Sequence, residues 1–132
     1  MPVTIPITVP PLPRLPGDAG IRLQAGSLVA RQLAWALLHC LQAEFPDRKL
    51  QIDDGDGSGQ PVDDMVAAMD VIFNVSACHV RCGKQWVFLV ASNGDCLISD
   101  YGVHEQVERA VRSAEEIAGI TDGGQGERLQ RR

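Results

Sequence analysis

Apolar positions change their spacing along this chain, and each change predicts an element. The run "LVARQLAWALLHCLQAEF" is apolar almost throughout, follows Ser27 and stops at Pro46. Serine caps helix starts and proline cannot continue a helix, so the run predicts a helix over about 28–45. At 100° per residue its polar positions Arg31, Gln32, His39 and Gln42 collapse onto one narrow stripe, which predicts a helix buried on most sides. Trp35 falls inside that stripe, between Arg31 and His39. Exposed there, it would anchor a contact with a partner, since tryptophan is enriched at interface hot spots; a terminal arm or loop laid over it would remove that role.

"KLQI" predicts a short strand running into the loop "DDGDGSG". Beyond it, Val62, Met65, Val66, Met69, Ile72 and Phe73 recur at helical spacing. Pro61 suits a first helical position, and Asp63 and Asp64 suit the positive end of a helix, so a helix is expected over about 61–73. "VSACHVRC", "QWVFLVA" and "DCLISDY" then read as three strands. Gly83-Lys84 and Asn93-Gly94 separate them as two-residue reversals, the second being a strong hairpin signal. Last, Val103, Val107, Ala110, Val111, Ala114, Ile117 and Ala118 form one stripe of a third helix, which Gly119 can end. The fold class expected is α+β: an antiparallel meander of three to four strands with three helices packed mainly on one face. Residues 1–22, rich in proline, read as a flexible arm, 23–119 as a single domain and 120–132 as a disordered tail. "PPLPRLP" in the arm contains a PxxP pattern of the kind some grooved modules read.

Two tight hairpins fix register, and register sorts side chains by face. Cys78, Val80, Val87, Leu89, Ala91, Cys96 and Ile98 collect on one face, ready for helices to cover. Ala77, His79, Arg81, Trp86, Phe88, Val90, Leu97, Ser99 and Tyr101 collect on the other, with Trp86 opposite Tyr101. That second face is aromatic, cationic and hydroxylic. It is either packed under a helix or open for recognition.

Composition narrows the reading. The chain has 132 residues, 45% of them hydrophobic, which is enough for a core without metal or disulfide staples. A net charge of −5 argues against nonspecific binding to nucleic acid or anionic membranes, and suits a basic partner. No apolar run has the length of a membrane span. The N-terminus does not have the basic region and apolar run of a secretory leader, so the four cysteines read as reduced thiols of a cytoplasmic protein.

Each chemical motif has a plainer reading beside it. Asp54, Asp56, Ser58 and Gly59 fit the first half of an EF-hand-type calcium loop. The second half fails, with Met65 where the bidentate glutamate belongs and Pro61 inside the loop. Cys78, His79, Cys82 and Cys96 invite a zinc site; the register opposes it, because His79 points away from Cys78. No cofactor is implied. No nucleophile elbow, zinc-protease helix, phosphate loop or dinucleotide fingerprint occurs, so catalysis rests at most on His79 or the aspartate loop. Stacking of bases on Trp86, Phe88 and Tyr101 beside Arg81 and Lys84 is opposed by the overall acidity.

The function expected is a small acidic, non-enzymatic protein-binding module: an accessory factor or inhibitor acting on a basic partner, of the sort carried by phages and mobile elements. Its contacts would come from Arg31, Trp35 and His39, from His79, Arg81, Trp86, Phe88 and Tyr101, or from the acidic loop with Asp53, Asp54 and Asp56. The alternatives are a metal-dependent or acid–base enzyme and a chaperone-like homodimer.

Overall fold

The structure, a computed structural model, describes residues 9–13, 25–55, 59–75, 77–92 and 95–119. Its elements run α1 (Ala25–Glu44), β1 (Gln51–Asp53), β2 (Gln60–Pro61), α2 (Met65–Asn74), β3 (Ala77–Cys82), β4 (Gln85–Ser92), β5 (Asp95–Tyr101) and α3 (Glu105–Ile117). The strands pair antiparallel in one sheet of order β2-β1-β3-β4-β5. Among the described residues the fold is α+β with three helices and one sheet of five strands, where the sequence predicts three or four. The tail 120–132, the Asn93-Gly94 reversal and most of the proline-rich arm lie outside the described residues.

The strand the sequence hides is β2. Pro61, predicted to open a helix, instead sits opposite Gln51 in a two-residue edge strand. Proline is tolerated at a sheet edge because no ladder bond there needs its N–H. Val62 N–H then donates to the Leu50 carbonyl at 2.8 Å. α2 starts only at Met65, where Asp64 provides the cap: its backbone is extended and its carboxylate accepts from Val66 N–H at 2.9 Å.

α1 runs through the core. Leu33, Ala34, Ala36, Leu37, Leu38, Cys40 and Leu41 are at most 1% exposed, and the helix touches α2, α3, β3 and β5. α3 buries Val107, Ala110, Val111 and Ala114, residues small enough to let it lie close to α1. The two helices are pinned at one end, where the Arg109 guanidinium donates to both Glu44 carboxylate oxygens at 2.9 Å and Gln106 donates to the Glu44 carbonyl. Val103, predicted to begin the apolar stripe of α3, is 96% exposed. The helix starts after it, capped by His104, whose Nδ1 accepts from Gln106 N–H at 3.1 Å.

Register decides what the sheet offers. Across the first hairpin Arg81 faces Trp86, Val80 faces Val87, His79 faces Phe88 and Cys78 faces Leu89, as a two-residue turn requires. Gly83 in that turn holds φ +65°, a left-handed conformation that glycine adopts without strain. The second hairpin begins in the expected register, with Ala91 opposite Cys96 and Leu89 opposite Ile98, and then slips. Phe88 faces Asp100 and Val87 faces Tyr101. Ser99 is the extra residue of a β-bulge, and past a bulge the alternation of faces inverts. Tyr101 therefore leaves the aromatic face predicted for it and lies partly buried against the core. The predicted Trp86–Tyr101 pair does not form; the Trp86 carbonyl accepts from Gly102 N–H at 3.1 Å instead.

The buried apolar strand residues are Ile52, Cys78, Val80, Cys82, Val87, Leu89, Ala91, Cys96 and Ile98. They share the face on which α1 packs over β3 and β5, α2 over β4, and α3 over β4 and β5. The four cysteines are buried and unpaired by disulfide. Burial, followed by the charge of Glu44, pushes the Cys40 thiol up to about 11. Burial, followed by Asp54 and Asp53, does the same to Cys78. Protonated thiols of this kind pack as small hydrophobes and are poor nucleophiles or metal ligands.

Candidate functional site

The opposite sheet face has a different character. Ala77, His79, Arg81, Trp86, Phe88 and Val90 are all partly exposed, and Leu97 is 50% exposed. Alternation puts these residues here, with alternate positions of β3 and β4 aimed away from the helices. His79 is the centre of an aromatic cluster. Its ring centroid lies 4.7 Å from that of Phe88 and 5.6 Å from that of Trp86, the latter edge-on, distances at which aromatic rings attract. Gly102 makes room for the indole, since a Cβ there would lie 3.2 Å from the Trp86 ring nitrogen. His79, Arg81, Gly83, Lys84, Gln85 and Trp86 line a shallow cleft of about 350 Å³ at the end of this face.

β1 contributes one more member. Asp53 sits opposite His79 in register and is buried. One carboxylate oxygen takes the Arg81 guanidinium at 2.9 Å and the other accepts from Gly55 N–H at 2.9 Å. Asp53 therefore orients Arg81 and closes the start of the aspartate loop. The other acidic residues near this loop also have local roles: Asp63 pairs with Lys49 and Asp64 caps α2. Asp54 is exposed, while Asp56 and Ser58 lie outside the described residues. Among the described residues no group of three or more His, Cys, Asp or Glu side chains is placed to hold a metal ion. His79 and the cysteines Cys78 and Cys82 stand on opposite faces.

The residues predicted on α1 form a separate cluster. Trp35, pictured as an exposed anchor, is only 5% exposed, and its indole N–H donates to the Pro10 carbonyl at 2.8 Å. The arm covers it, so Trp35 is not an open contact. His39 packs edge-on against Trp35 with centroids 4.4 Å apart, and Arg31 lies over the Phe73 ring at 4.8 Å. The structure thus brings His79, Arg81, Trp86, Phe88 and Asp53 together, moves Tyr101 to the core side, puts Trp35 beneath the arm with His39 packed against it, and lays Arg31 on Phe73. Asp100, opposite Phe88 because of the bulge, joins the open face without having been predicted there. Nothing local in the sequence marks a bulge at Ser99, so no signal could have found it.

Burial lowers the His39 pKa from its ordinary 6.5. The folded protein then binds this proton less readily than the unfolded chain does. The stability tied to neutral His39 is present above pH 6.5 and is lost as pH falls through the lower folded value. His39→Gln is expected to show a smaller drop in urea midpoint than the wild type between about pH 7 and pH 5. Equal drops in both proteins would assign the acid sensitivity to other groups.

No helix among the described residues is long and apolar enough to cross a membrane. Comparison with protein-family models, with curated proteins and with solved structures gave no significant match to the chain.

Proposed function

We propose that this protein is a non-enzymatic binding module that docks a protein partner on the open sheet face. The observation that carries the reading is the cluster His79–Trp86–Phe88 with half-exposed Leu97 beside it, on a face where Asp53 is the only described side chain that is fully buried. Partly exposed aromatic and aliphatic side chains, interleaved with an oriented arginine and rimmed by polar groups, are the composition of an interface centre. Catalysis has less to work with. Arg81 is held by Asp53, His79 is wedged between rings, and the thiols of Cys40 and Cys78 are buried and pushed up to about 11. The net charge of −5 adds long-range attraction to a basic partner, speeding encounter more than it strengthens the final contact.

The test is a capture experiment with three full-length variants and the wild type. The partner recovered with wild type is expected to bind Phe88→Ala about 10- to 30-fold more weakly, as for a hot-spot aromatic, and to be lost with Leu97→Glu. Arg112→Glu, on the exposed side of α3, should bind unchanged. Urea midpoints confirm that all four proteins are folded. A partner that binds Leu97→Glu as tightly as wild type would overturn the proposal. Sedimentation of the pure protein distinguishes self-association: a dimer dissolved by Leu97→Glu would make the partner a second copy.

A further inference from the structure

The arm and the α1 stripe carry an interaction that the open face does not use. Residues 9–13, Val-Pro-Pro-Leu-Pro, lie against the core without helix or strand structure. Three of the five are prolines, with φ fixed near −65°, and Val9, Pro10 and Leu12 each precede a proline, which confines them to extended backbone. The sequence therefore favours left-handed polyproline backbone here, whose three-residue period would put Val9 and Leu12 on one side. The burial agrees: Val9 and Leu12 pack against the core while Pro10 and Pro11 face solvent. Such a helix leaves its carbonyls without internal partners, and the Trp35 indole N–H takes the one at Pro10. An aromatic ridge that donates an N–H to a backbone carbonyl, with apolar seats three residues apart, is the general solution for reading proline-rich segments.

We propose that the surface around Trp35 is a binding site for extended proline-rich segments with an apolar residue at every third position, that a partner protein supplies such a segment, and that residues 9–13 hold the site in cis as a competing ligand. Two observations favour a partner over a second copy of the chain. First, only residues 14–24 separate the arm from α1, so the tethered arm acts at a local concentration in the millimolar range. An identical arm from another molecule cannot compete with that at micromolar protein. Second, the cis ligand is imperfect: His39 Nε2, beside Trp35, is buried and finds no hydrogen-bond partner among the described residues. A foreign segment that places a polar group there binds better than the arm does.

The probe is a synthetic peptide with the sequence of residues 7–16, titrated into the full-length chain and followed by Trp35 fluorescence and by the exchange rate of its indole N–H. Wild type is expected to resist, its indole proton exchanging slowly. Val9→Asp/Leu12→Asp should release the arm, speed that exchange and bind the peptide saturably below about 1 mM, the ceiling set by the local concentration of the arm. Adding Trp35→Phe, which removes the donor together with the five-membered ring, should weaken binding about 3- to 10-fold when the titration is read by calorimetry. If the released variant remains folded by circular dichroism and yet binds no peptide, the proposal fails. It fails also if a scrambled peptide of the same composition binds equally well, or if wild type forms arm-exchanged dimers at micromolar concentration. Because His79, Trp86 and Phe88 are untouched, loss of this site leaves docking on the open face intact, and the two readings stand or fall separately.

Discussion

Leu89→Ala is expected to lower stability by about 3 kcal/mol and the melting temperature by about 15 °C. Leu89 lies at the centre of β4, the second strand from the β5 edge, between Cys78 on one side and Ile98 on the other, and it is completely buried. Removing its branched end leaves a void that the helices cannot fill by shifting, since α2 and α3 both pack on β4 and α1 packs against α2, α3, β3 and β5. The residue just before it provides the control. Phe88 is larger, but it points to the open face and is only partly buried, so Phe88→Ala should cost less than half as much. Thermal and urea unfolding of the two variants would check the face assignment directly. If Phe88→Ala proved the more damaging change, that face would be a second core.

Asp53→Ala is expected to cost about 2 kcal/mol. The carboxylate is almost fully buried, and its partners include the Arg81 guanidinium and the Gly55 N–H. Loss of a fully buried ion-pair partner costs more than this, but Arg81 is 42% exposed and can recover water, which limits the damage. Asp53→Asn keeps an oxygen for Gly55 N–H and should cost about half as much. A double-mutant cycle with Arg81→Ala, read from urea midpoints, should leave a coupling of about 1 kcal/mol. Additive effects would show that Asp53 works through the loop alone and does not hold Arg81.

Much of this fold was legible in the sequence because local chemistry set it. The near-continuous apolar run of α1, the Gly83-Lys84 turn and the stripe of α3 each carry their own signal, and the structure has the corresponding elements with ends shifted by a few residues. The pairing His79–Phe88 and Arg81–Trp86 followed from turn length alone, so the heart of the candidate site was readable. What could not be read depends on contacts between distant segments. β2 exists because Pro61 meets Gln51, and no short pattern in "GSGQPV" specifies that meeting. Asp53 looked like part of an acidic loop; only the pairing of β1 with β3 shows it to be the partner of Arg81. Trp35 was readable as lying on the polar stripe, but its covering arm begins 22 residues upstream, at Pro13. The bulge at Ser99 moved Tyr101 because alternation is a rule of unbroken strands, and one inserted residue inverts everything after it.

That bulge also bears on how an apolar sheet face can remain in water. A sheet grows by adding strands at its rims, and a long, flat, unpaired rim is the template from which fibrils start. Among the described residues this sheet ends in β2, two residues long and containing proline, and in β5, which is kinked at Ser99 and carries the exposed Asp100. Neither rim offers a straight run of free backbone groups with a matching apolar row. The molecule can therefore keep Phe88 and Leu97 in contact with water while its rims block the open-ended polymerisation that such exposure would otherwise invite.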